Sequence, residues 1–519
     1  MIHVVEAEAL AVAPELEPSD DIGLERSLQA ADGDVANLEV CTHGGDYRLK
    51  EGGATTGKIG AAHVPAPAYR PPGPSPRPVI GNLAEFGRDP LGFLTECARE
   101  HGDIAGVRLA GWPAWVISHP DLAEQVFVTH SRSFVKHRFF FRHVDTLFGD
   151  GLLTAEGESW LRHRRLAAPA FHHDRIAGYA GEMVALAEET AARWRDRETL
   201  DVHHEMMQLT LRIVVRTLFA IEAPRDVAAL GAAFDVAVKE IAARFRRPFR
   251  IPDAVPTPGN IRYRRAVSRL DAFIRGIIAE RRTDGADRGD LLSMLIAARD
   301  EDGSAMSDRH LRDEAVTLFL AGHETTALAL SWTWMLLSLH PEADARLAGE
   351  LRTVLGGRAP AFADLPRLRY TQAVVEESLR LYPPAWVIGR QATAPVTIGG
   401  HVLPAGTTVF ISPWVLHRDA RYFDRPGEFR PERWLDAEAR SRLPRYAYIP
   451  FGGGPRVCIG NAFAMTEATL LLASLARRFR PTLRDGRAVP PFPTITLRPS
   501  EAVWMTLAIR DPQSGGAAL

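Results

Sequence analysis

Apolar positions recur every three to four residues over long stretches of this chain, and that spacing predicts a mainly helical protein. A proline at 341 sets the end of the longest predicted helix, because proline cannot continue a helix. Alternating patterns predict two short strands within 103–118 and a β-hairpin over 396–411. The predicted helices are 89–101, 173–196, 204–220, 225–245, 261–282, 307–339, 366–381 and 459–479.

The two ends of the chain lack such periodicity. Residues 1–62 are rich in Ala, Gly, Asp and Glu, so we expect a disordered N-terminal extension. The proline-dense segment 64–81 is expected to run extended into the folded region. No second linker of that kind follows it. The sequence therefore predicts one large folded domain over 63–511 and a flexible tail over 512–519.

Composition and charge narrow the class of protein. The chain is 46% hydrophobic and 24% charged, as ordinary globular proteins are. Its 62 Lys and Arg residues nearly balance its 64 Asp and Glu residues, so no overall field favours nucleic acid. Three cysteines are too few for a disulfide scaffold, and the N-terminus lacks the pattern of a signal peptide. We therefore expect a cytoplasmic protein.

The clearest chemical signal is the segment PFGGGPRVCIG at 450–460. Its glycines allow the backbone to approach a flat macrocycle and to turn amide N–H groups towards the sulfur of Cys458. Those hydrogen bonds and a nearby cation favour the thiolate. Arg456 is placed to neutralise a haem propionate, and Phe451 to pack against the porphyrin. The alternative is a glycine loop around an inert buried cysteine. A zinc site is no rival, because no second Cys or His lies at ligand spacing.

At these residues the sequence resembles the cytochrome P-450 family, whose cysteine signature has this form, and the resemblance covers essentially 64–510. It implies a mainly α fold with small β-sheets, a triangular helical prism. The haem then lies between the long central helix and the helix that follows the cysteine loop. The implied cofactor is haem b, iron protoporphyrin IX, with Cys458 as the iron ligand and a thiolate that promotes O–O cleavage.

The long predicted helix places an acid beside an alcohol, Glu324 and Thr325. Ala321 and Gly322 just before them are small enough for a planar group to lie against the helix. A threonine hydroxyl competes for backbone hydrogen bonds and opens a helix locally, and a carboxylate–hydroxyl relay fed by water delivers protons. The segment is similar to the family's oxygen-activating motif, which gives Glu324 and Thr325 this catalytic role. By itself, the pattern also fits a core helix with one capped or solvated acid.

The same helix contains an apolar run, 315–339, that is long enough to span a bilayer. His323 and Glu324 lie in its middle, where an ionised group in lipid is costly. We therefore predict a buried core helix and no integral membrane anchor, with His323 in a packing role.

Three further residues are candidates for contacts with the haem propionates. Trp160 and Arg164 are four positions apart and therefore share one helix face. An indole N–H and a guanidinium there suit a carboxylate. The resemblance adds Arg390, which matches another propionate contact of the family. For each of the three, the alternative is an ordinary surface side chain.

A second set of residues is predicted to be structural. Glu377 and Arg380 are three positions apart on a predicted helix and can form an ion pair. The resemblance adds Arg433 as the third member of a buried network that fixes the cysteine loop from behind. We class all three as structural and not catalytic.

The resemblance implies a monooxygenase that inserts one oxygen atom from O2 into a C–H bond or double bond of a hydrophobic small molecule, as in secondary metabolism. Electrons are expected from a separate donor, either ferredoxin with its reductase or a flavodoxin-type protein, and the enzyme is expected to be a monomer. The arginines at 162, 164 and 165 are candidate docking residues, although a solvated helix face explains them equally well. By analogy, 139–141, 224–260 and 384–388 shape the substrate pocket.

Two alternative functions stay open at this point. One is a peroxide-dependent haem-thiolate enzyme, a subclass that generally lacks the acid–alcohol pair present here at Glu324 and Thr325. The other is a non-catalytic haem sensor, which needs no proton relay but usually carries an output module.

Overall fold

The computed structural model describes residues 71–137, 143–220, 224–245, 251–285, 288–300 and 303–510, and the backbone of 39–43 and 46–50. The chain divides into two compact units, Met1–Pro67 and Ala68–Leu519. In the first unit, strands β1 (Glu39–His43) and β2 (Asp46–Lys50) pair in antiparallel fashion, within the extension for which the composition predicts disorder. The remainder of that extension and the predicted tail over 512–519 lie outside the described residues.

Helices make up most of the second unit, and each of the long helices predicted from the sequence is present. The ends differ from the predicted ones by a few residues, as frayed termini do. The α-helices are α1 Leu83–Arg88, α2 Pro90–His101, α3 Pro120–Glu124, α4 Asp145–Phe148, α5 Gly157–Ala167, α6 His173–Arg193, α7 Val202–Phe219, α8 Pro224–Phe245, α9 Pro258–Asp284, α10 Leu291–Ala297, α11 Asp308–Leu339, α12 Pro341–Leu355, α13 Arg369–Leu381, α14 Pro413–Leu416, α15 Ala437–Arg442 and α16 Asn461–Ala476. Short 3-10 turns occupy Ser131–Ser133, Ala168–Phe171, Phe362–Arg367, Pro431–Trp434 and Gly454–Arg456, and a π-helical turn occupies Gln125–Thr129.

Helix α11 runs through the largest hydrophobic core of the unit. It begins where the Ser307 side chain accepts a hydrogen bond from the backbone N–H of His310, and it ends just before Pro341. Its residues pack against α7, α9, α13 and α16, which explains why the sequence there is apolar on all sides. None of the described helices, α11 included, is both long and apolar enough to cross a membrane.

The β-structure is small and lies beside this helical core. The largest sheet has five strands in the order β3-β4-β10-β7-β5, with β10 parallel to β4 and the other neighbours antiparallel. A three-stranded sheet has the order β11-β14-β6, and two hairpins, β8-β9 and β12-β13, complete the set. The strands are β3 Ile104–Leu109, β4 Trp112–Ile117, β5 Phe134–Lys136, β6 Thr199–Asp201, β7 Ile388–Ala392, β8 Val396–Ile398, β9 His401–Leu403, β10 Thr408–Ile411, β11 Phe479–Leu483, β12 Pro491–Pro493, β13 Leu497–Pro499 and β14 Trp504–Ile509.

The hairpin predicted over 396–411 is wrong in its extent. The hairpin itself is β8-β9, and β10 leaves it to join the five-stranded sheet between β4 and β7. All four residues of β10 are buried, because both of its faces are covered in the sheet. An uninterrupted apolar strand is typical of such a central position, whereas a two-stranded hairpin shows alternation.

Candidate active site

The cysteine loop connects the 3-10 turn Gly454–Arg456 to the start of α16. The backbone N–H of Cys458 donates to the carbonyl oxygen of Phe451 at 2.9 Å and closes the loop. The Cys458 side chain is solvent-accessible, yet burial within the protein raises the pKa of its thiol. A backbone N–H hydrogen bond from Gly460 and the charge of Arg164 lower that pKa and only partly offset the burial. Binding to a metal ion would favour the thiolate further.

Two of the loop glycines are required by a neighbouring segment. Gly454 has a φ of +66°, and a Cβ atom there would lie 2.0 Å from the carbonyl oxygen of Phe127 in the π-helical turn. At Gly453 a Cβ atom would lie 2.4 Å from the ring of Tyr446. At these two positions the missing Cβ atom makes room for the protein's own side chains and backbone, whereas the glycine pattern predicted room for a flat macrocycle. The glycines hold the loop close to that segment.

The second arginine of the site, Arg164, lies in α5 and reaches the cysteine loop directly. Its Nη1 atom donates to the carbonyl oxygen of Val457 at 2.7 Å, and its charge acts on the thiol of Cys458. Trp160, one turn earlier in α5, instead has the guanidinium of Arg456 over its ring at 4.8 Å. The two α5 residues therefore lie at the loop, and each contacts a different part of it.

Positive charge is concentrated beside this loop. Arg456 forms an ion pair with Glu156, and its other terminal nitrogen, Nη1, is buried without a hydrogen-bond partner among the described residues. Arg390 in β7 lies close enough for its charge to act on Arg456, and burial lowers the pKa of Arg390 to about 10. Lys136 in β5 is opposite Arg390 in the sheet, and burial lowers its pKa to about 7. A buried guanidinium nitrogen without an acceptor fits a carboxylate ligand at this place.

Helix α11 presents an open face in the middle of an otherwise buried stretch. Within Leu311–Leu337, all of which is described, the residues that are not buried are Ala321, Gly322 and Thr325. They fall at positions i, i+1 and i+4 and therefore share one side of the helix. Thr325 donates from Oγ1 to the carbonyl oxygen of Ala321 at 2.7 Å. This open face, like the accessible sulfur of Cys458, fits a bound planar group.

The packing of α11 against α7 also favours glycine at position 322. A Cβ atom there would lie 2.9 Å from a methyl carbon of Val214 in α7. The close approach of α7 to α11 accounts for this residue, in addition to any group bound on the open face.

Glu324 faces away from its neighbour in the sequence. Its Oε1 atom accepts hydrogen bonds from Oγ1 of Thr496 at 2.6 Å and from Nε of Arg498 at 2.8 Å. Burial raises the pKa of Glu324, but Arg498 and the Thr496 hydroxyl outweigh that effect, so its pKa lies below the ordinary value. Thr325, in contrast, is bonded to the backbone of α11. The acid and the alcohol that are adjacent in the sequence therefore have different partners. Glu324 is bonded to the β12-β13 hairpin, and Thr325 is bonded within α11.

The predicted role of His323 in packing is consistent with its surroundings. Its ring lies 5.0 Å from that of Phe234 and 5.2 Å from that of Phe319, and its Nδ1 atom is 2.9 Å from the carbonyl oxygen of Phe319. Burial lowers the pKa of His323 below the ordinary value, so the ring is neutral near pH 7.

A buried ion network lies under the segment that leads to the cysteine loop. Glu377 in α13 accepts from Nε and Nη2 of Arg380, both at 2.9 Å, and from Nε of Arg433 at 2.9 Å. The indole N–H of Trp434 donates to the same carboxylate at 2.9 Å. Trp434 in turn packs against Tyr448, with ring centroids 4.4 Å apart, three residues before Phe451. These contacts give the triad of Glu377, Arg380 and Arg433 the supporting position that was expected.

The structure describes only part of the three regions that were predicted to shape the substrate pocket. Residues 139–141 lie outside the described residues, as do 246–250 within the second region. In the third region, Trp386 is buried in the core beside the five-stranded sheet and donates from its indole N–H to the carbonyl oxygen of Thr494 at 3.0 Å. It therefore helps to hold the turn between β12 and β13.

Sequence reasoning missed Lys136, Glu156, Thr496 and Arg498. Lys136 carries a local signal, since it stands in a short apolar strand where a charged residue is unexpected. Arg498 carries none, because its partner Glu324 is 174 positions earlier in the chain.

Comparisons with known proteins identify a family and several similar proteins. The profile of one protein family, described as Cytochrome P450, matches residues 71–505. Cyclooctatin synthase of Streptomyces melanosporofaciens is 42% identical over 427 residues, which cover 82% of this chain and 92% of that protein. Pentalenene oxygenase of Streptomyces avermitilis is 37% identical, covering 85% and 97%. Cyclooctat-9-en-7-ol 5-monooxygenase of Streptomyces melanosporofaciens is 39% identical, covering 82% and 93%.

Proposed function

Because this chain belongs to the cytochrome P450 family, we propose that it oxygenates a cyclic terpene hydrocarbon or a terpenoid alcohol. The chain is a haem b monooxygenase that acts on a hydrophobic small molecule. The finer substrate class is supported by two relatives, whose names describe oxygenation of pentalenene and of cyclooctat-9-en-7-ol. An apolar ring system with few hydroxyl groups is the substrate type common to both.

The observation that carries the assignment of the site is the accessible sulfur of Cys458 inside the protein. Cys458 would hold the haem iron, with the Gly460 N–H and Arg164 stabilising the thiolate. When bound, the haem supplies oxygen activation, and a thiolate ligand favours O–O cleavage. We further propose that Arg456, with its buried free nitrogen, binds one haem propionate, together with Arg390.

The remaining residues of the predicted haem site have supporting roles in this proposal. Ala321 and Gly322 leave the α11 face open, where the porphyrin would lie, and Phe451 would pack against it. Trp160 holds the guanidinium of Arg456 through its ring. Arg164 donates to the loop carbonyl at Val457 and acts on the Cys458 thiol, and its predicted contact with a haem propionate stays part of the proposal.

We propose that Thr325 and Glu324 move protons to the open face of α11 in two stages. Glu324 exchanges protons with water on the side where Arg498 holds its Oε1 atom. The Thr325 hydroxyl, which donates to the Ala321 carbonyl, rotates to donate on the open face. Water must link the two residues, because the carboxylate and the hydroxyl have different partners. Arg498 keeps Glu324 ionised between turnovers, since it lowers the pKa of that carboxyl.

Electrons come from a redox partner, as they do in this family, and we propose a ferredoxin or a flavodoxin-type protein. The arginines considered as docking residues are engaged within the protein: Arg162 and Arg165 form ion pairs with Asp300, at 2.7 Å each. Docking of the donor at this helix face stays a prediction, since the Arg165 side chain is 48% exposed. We also propose a cytoplasmic location, which suits such a donor.

The substrate proposal is tested with a panel of cyclic terpene hydrocarbons, their mono-alcohols and linear fatty acids of similar carbon number. The haem spin-state shift reports binding, and product is measured with a reductase–ferredoxin system and, separately, with peroxide. We expect the cyclic terpenes to bind and to be oxygenated with donor electrons. Exclusive turnover of fatty acids, or turnover with peroxide alone, would contradict the proposal.

The proton role is tested in the same assay with Thr325→Ala, using Thr326→Ala as the matched control. Thr326 is the next residue of α11, but it is buried and bonded to the Gly322 carbonyl. Loss of Thr325 should leave oxygen consumption running while product per oxygen consumed falls. Equal coupling in the two variants would remove the relay from the mechanism.

A further inference from the structure

A second cluster of ligating side chains lies apart from the cysteine loop, where α5 meets the first turn of α11. Asp150, His163 and His310 each offer one ligand atom, and the three atoms lie within 4.8 Å of one another. The rings of His163 and His310 meet edge to face, with centroids 5.3 Å apart. We propose that these three residues bind a divalent cation of the zinc class.

His163 is held in the orientation that a ligand needs. Its Nδ1 atom lies 2.8 Å from Oε1 of Glu314, and the two side chains are 1% and 0% exposed. Nε2 is therefore the nitrogen available to a metal. A carboxylate behind a histidine is the usual arrangement in zinc sites, where it fixes the tautomer and the ring direction. Both carboxylate oxygens of Glu314 are buried without a hydrogen-bond partner among the described residues, so the His163 ring, in ion-pair contact with Oε1, is the group that this acid faces.

Asp150 is also held from two sides. The Ser159 hydroxyl donates to its Oδ2 atom at 2.8 Å, and its backbone N–H donates to Oδ2 of Asp313 at 2.9 Å. Within the part of the chain that the structure describes, no arginine or lysine forms an ion pair with Asp150. Asp150 can therefore offer a carboxylate oxygen to a cation without displacing an arginine or lysine of the described residues.

His310 completes the set and leaves the site accessible. Asp150 and His310 are half-buried, whereas His163 is buried, so an ion can enter from the side of the first two. Two imidazoles and one carboxylate suit zinc, with water as the fourth ligand. With metal–ligand distances of about 2.1 Å, tetrahedral ligand atoms lie about 3.4 Å apart. Small side-chain rotations therefore suffice to close the site. An ion here would tie α5, which carries Arg164, to α11, which carries Thr325.

The experiment uses the haem-loaded enzyme, stripped of metal with a chelator, desalted and titrated with Zn²⁺ by calorimetry. Zinc retained after a second desalting is counted by mass spectrometry. We expect one tightly bound zinc per chain, with X-ray absorption showing two imidazole nitrogens at about 2.0–2.1 Å. His310→Ala and Asp150→Asn should each abolish that site. Glu314→Gln should weaken it about 10- to 100-fold, as loss of an orienting carboxylate does.

The matched control is His173→Ala, which removes an exposed histidine that lies beside another histidine, His172, and an aspartate, Asp174. It should leave the tight site intact. The haem spectrum of every variant confirms that the protein has folded. Absence of stoichiometric zinc, retention of zinc in both His310→Ala and Asp150→Asn, or loss of zinc in His173→Ala would each overturn the proposal and indicate adventitious surface binding only.

Discussion

Glu377 offers the sharpest test of how the helical core supports the cysteine loop. Its carboxylate is fully buried and accepts five hydrogen bonds, two from Arg380 and one each from Arg433, Trp434 and the backbone N–H of Arg430, all at 2.9 Å. Glu377→Gln keeps the size of the side chain but removes its charge and turns an NH2 group towards these donors. The guanidinium of Arg380, which is 0% exposed, is then left without its anion.

Removing one partner of a buried ion pair costs about 3–5 kcal/mol, because the other charge stays buried without compensation. We therefore expect Glu377→Gln to lower the free energy of unfolding by about that amount. With a denaturant slope of about 3 kcal/mol per molar urea, the unfolding midpoint falls by roughly 1 M or more. Far-UV circular dichroism follows the fold, and haem absorbance follows the cysteine loop in the same titration. Haem should be released at or before the unfolding midpoint, since the network supports the segment before Phe451.

The control is Glu376→Gln at the next position of α13. Glu376 pairs with Arg440, whose side chain is 51% exposed, and a pair of that kind contributes about 0–1 kcal/mol. If Glu377→Gln shifts the midpoint no further than Glu376→Gln does, the network does not stabilise the fold, and the reasoning from burial fails.

Three other substitutions test separate parts of the site. Burial lowers the pKa of Lys136 to about 7 from an ordinary 10.5. Between those two pH values the unfolded chain binds more protons than the folded chain. The free energy of unfolding of the haem-free protein should therefore rise with pH, by about 1.4 kcal/mol per pH unit. Lys136→Met should remove that rise. If urea titrations at several pH values give the variant and the unsubstituted protein the same dependence of unfolding free energy on pH, the prediction is wrong. Gly454→Ala places a Cβ atom 2.0 Å from a backbone oxygen, at a φ of +66°. It should therefore reduce the amount of haem that the protein retains on a desalting column. The control Gly427→Ala, whose Cβ atom meets no atom within 4 Å, should retain haem normally. Arg498→Gln removes the cation that lowers the pKa of Glu324. The acid limb of the rate–pH profile should therefore move to higher pH. A limb that does not move would show that Glu324 does not titrate during turnover.

Much of the fold could be read along the chain, since its signals are local. The spacing of apolar residues predicted each long helix, and proline marked the end of α11, because a helix repeats every few residues. The exchange of β10 into the five-stranded sheet could not be read this way. Strand pairing depends on which segments meet in space. The two strands that pair with β10 are β4 and β7, and more than 250 positions separate them in the sequence.

The sequence alone determined the cysteine at 458, the glycine-rich loop around it, and the small residues and threonine on one face of α11. These features lie within a few positions of one another, so their spacing fixes their geometry. Only the tertiary structure decided that Glu324 pairs with Arg498 and that Gly454 serves the approach of Phe127. Each of those contacts joins side chains from elements that are distant in the chain. Their meeting depends on how whole helices and strands pack, which no local pattern encodes.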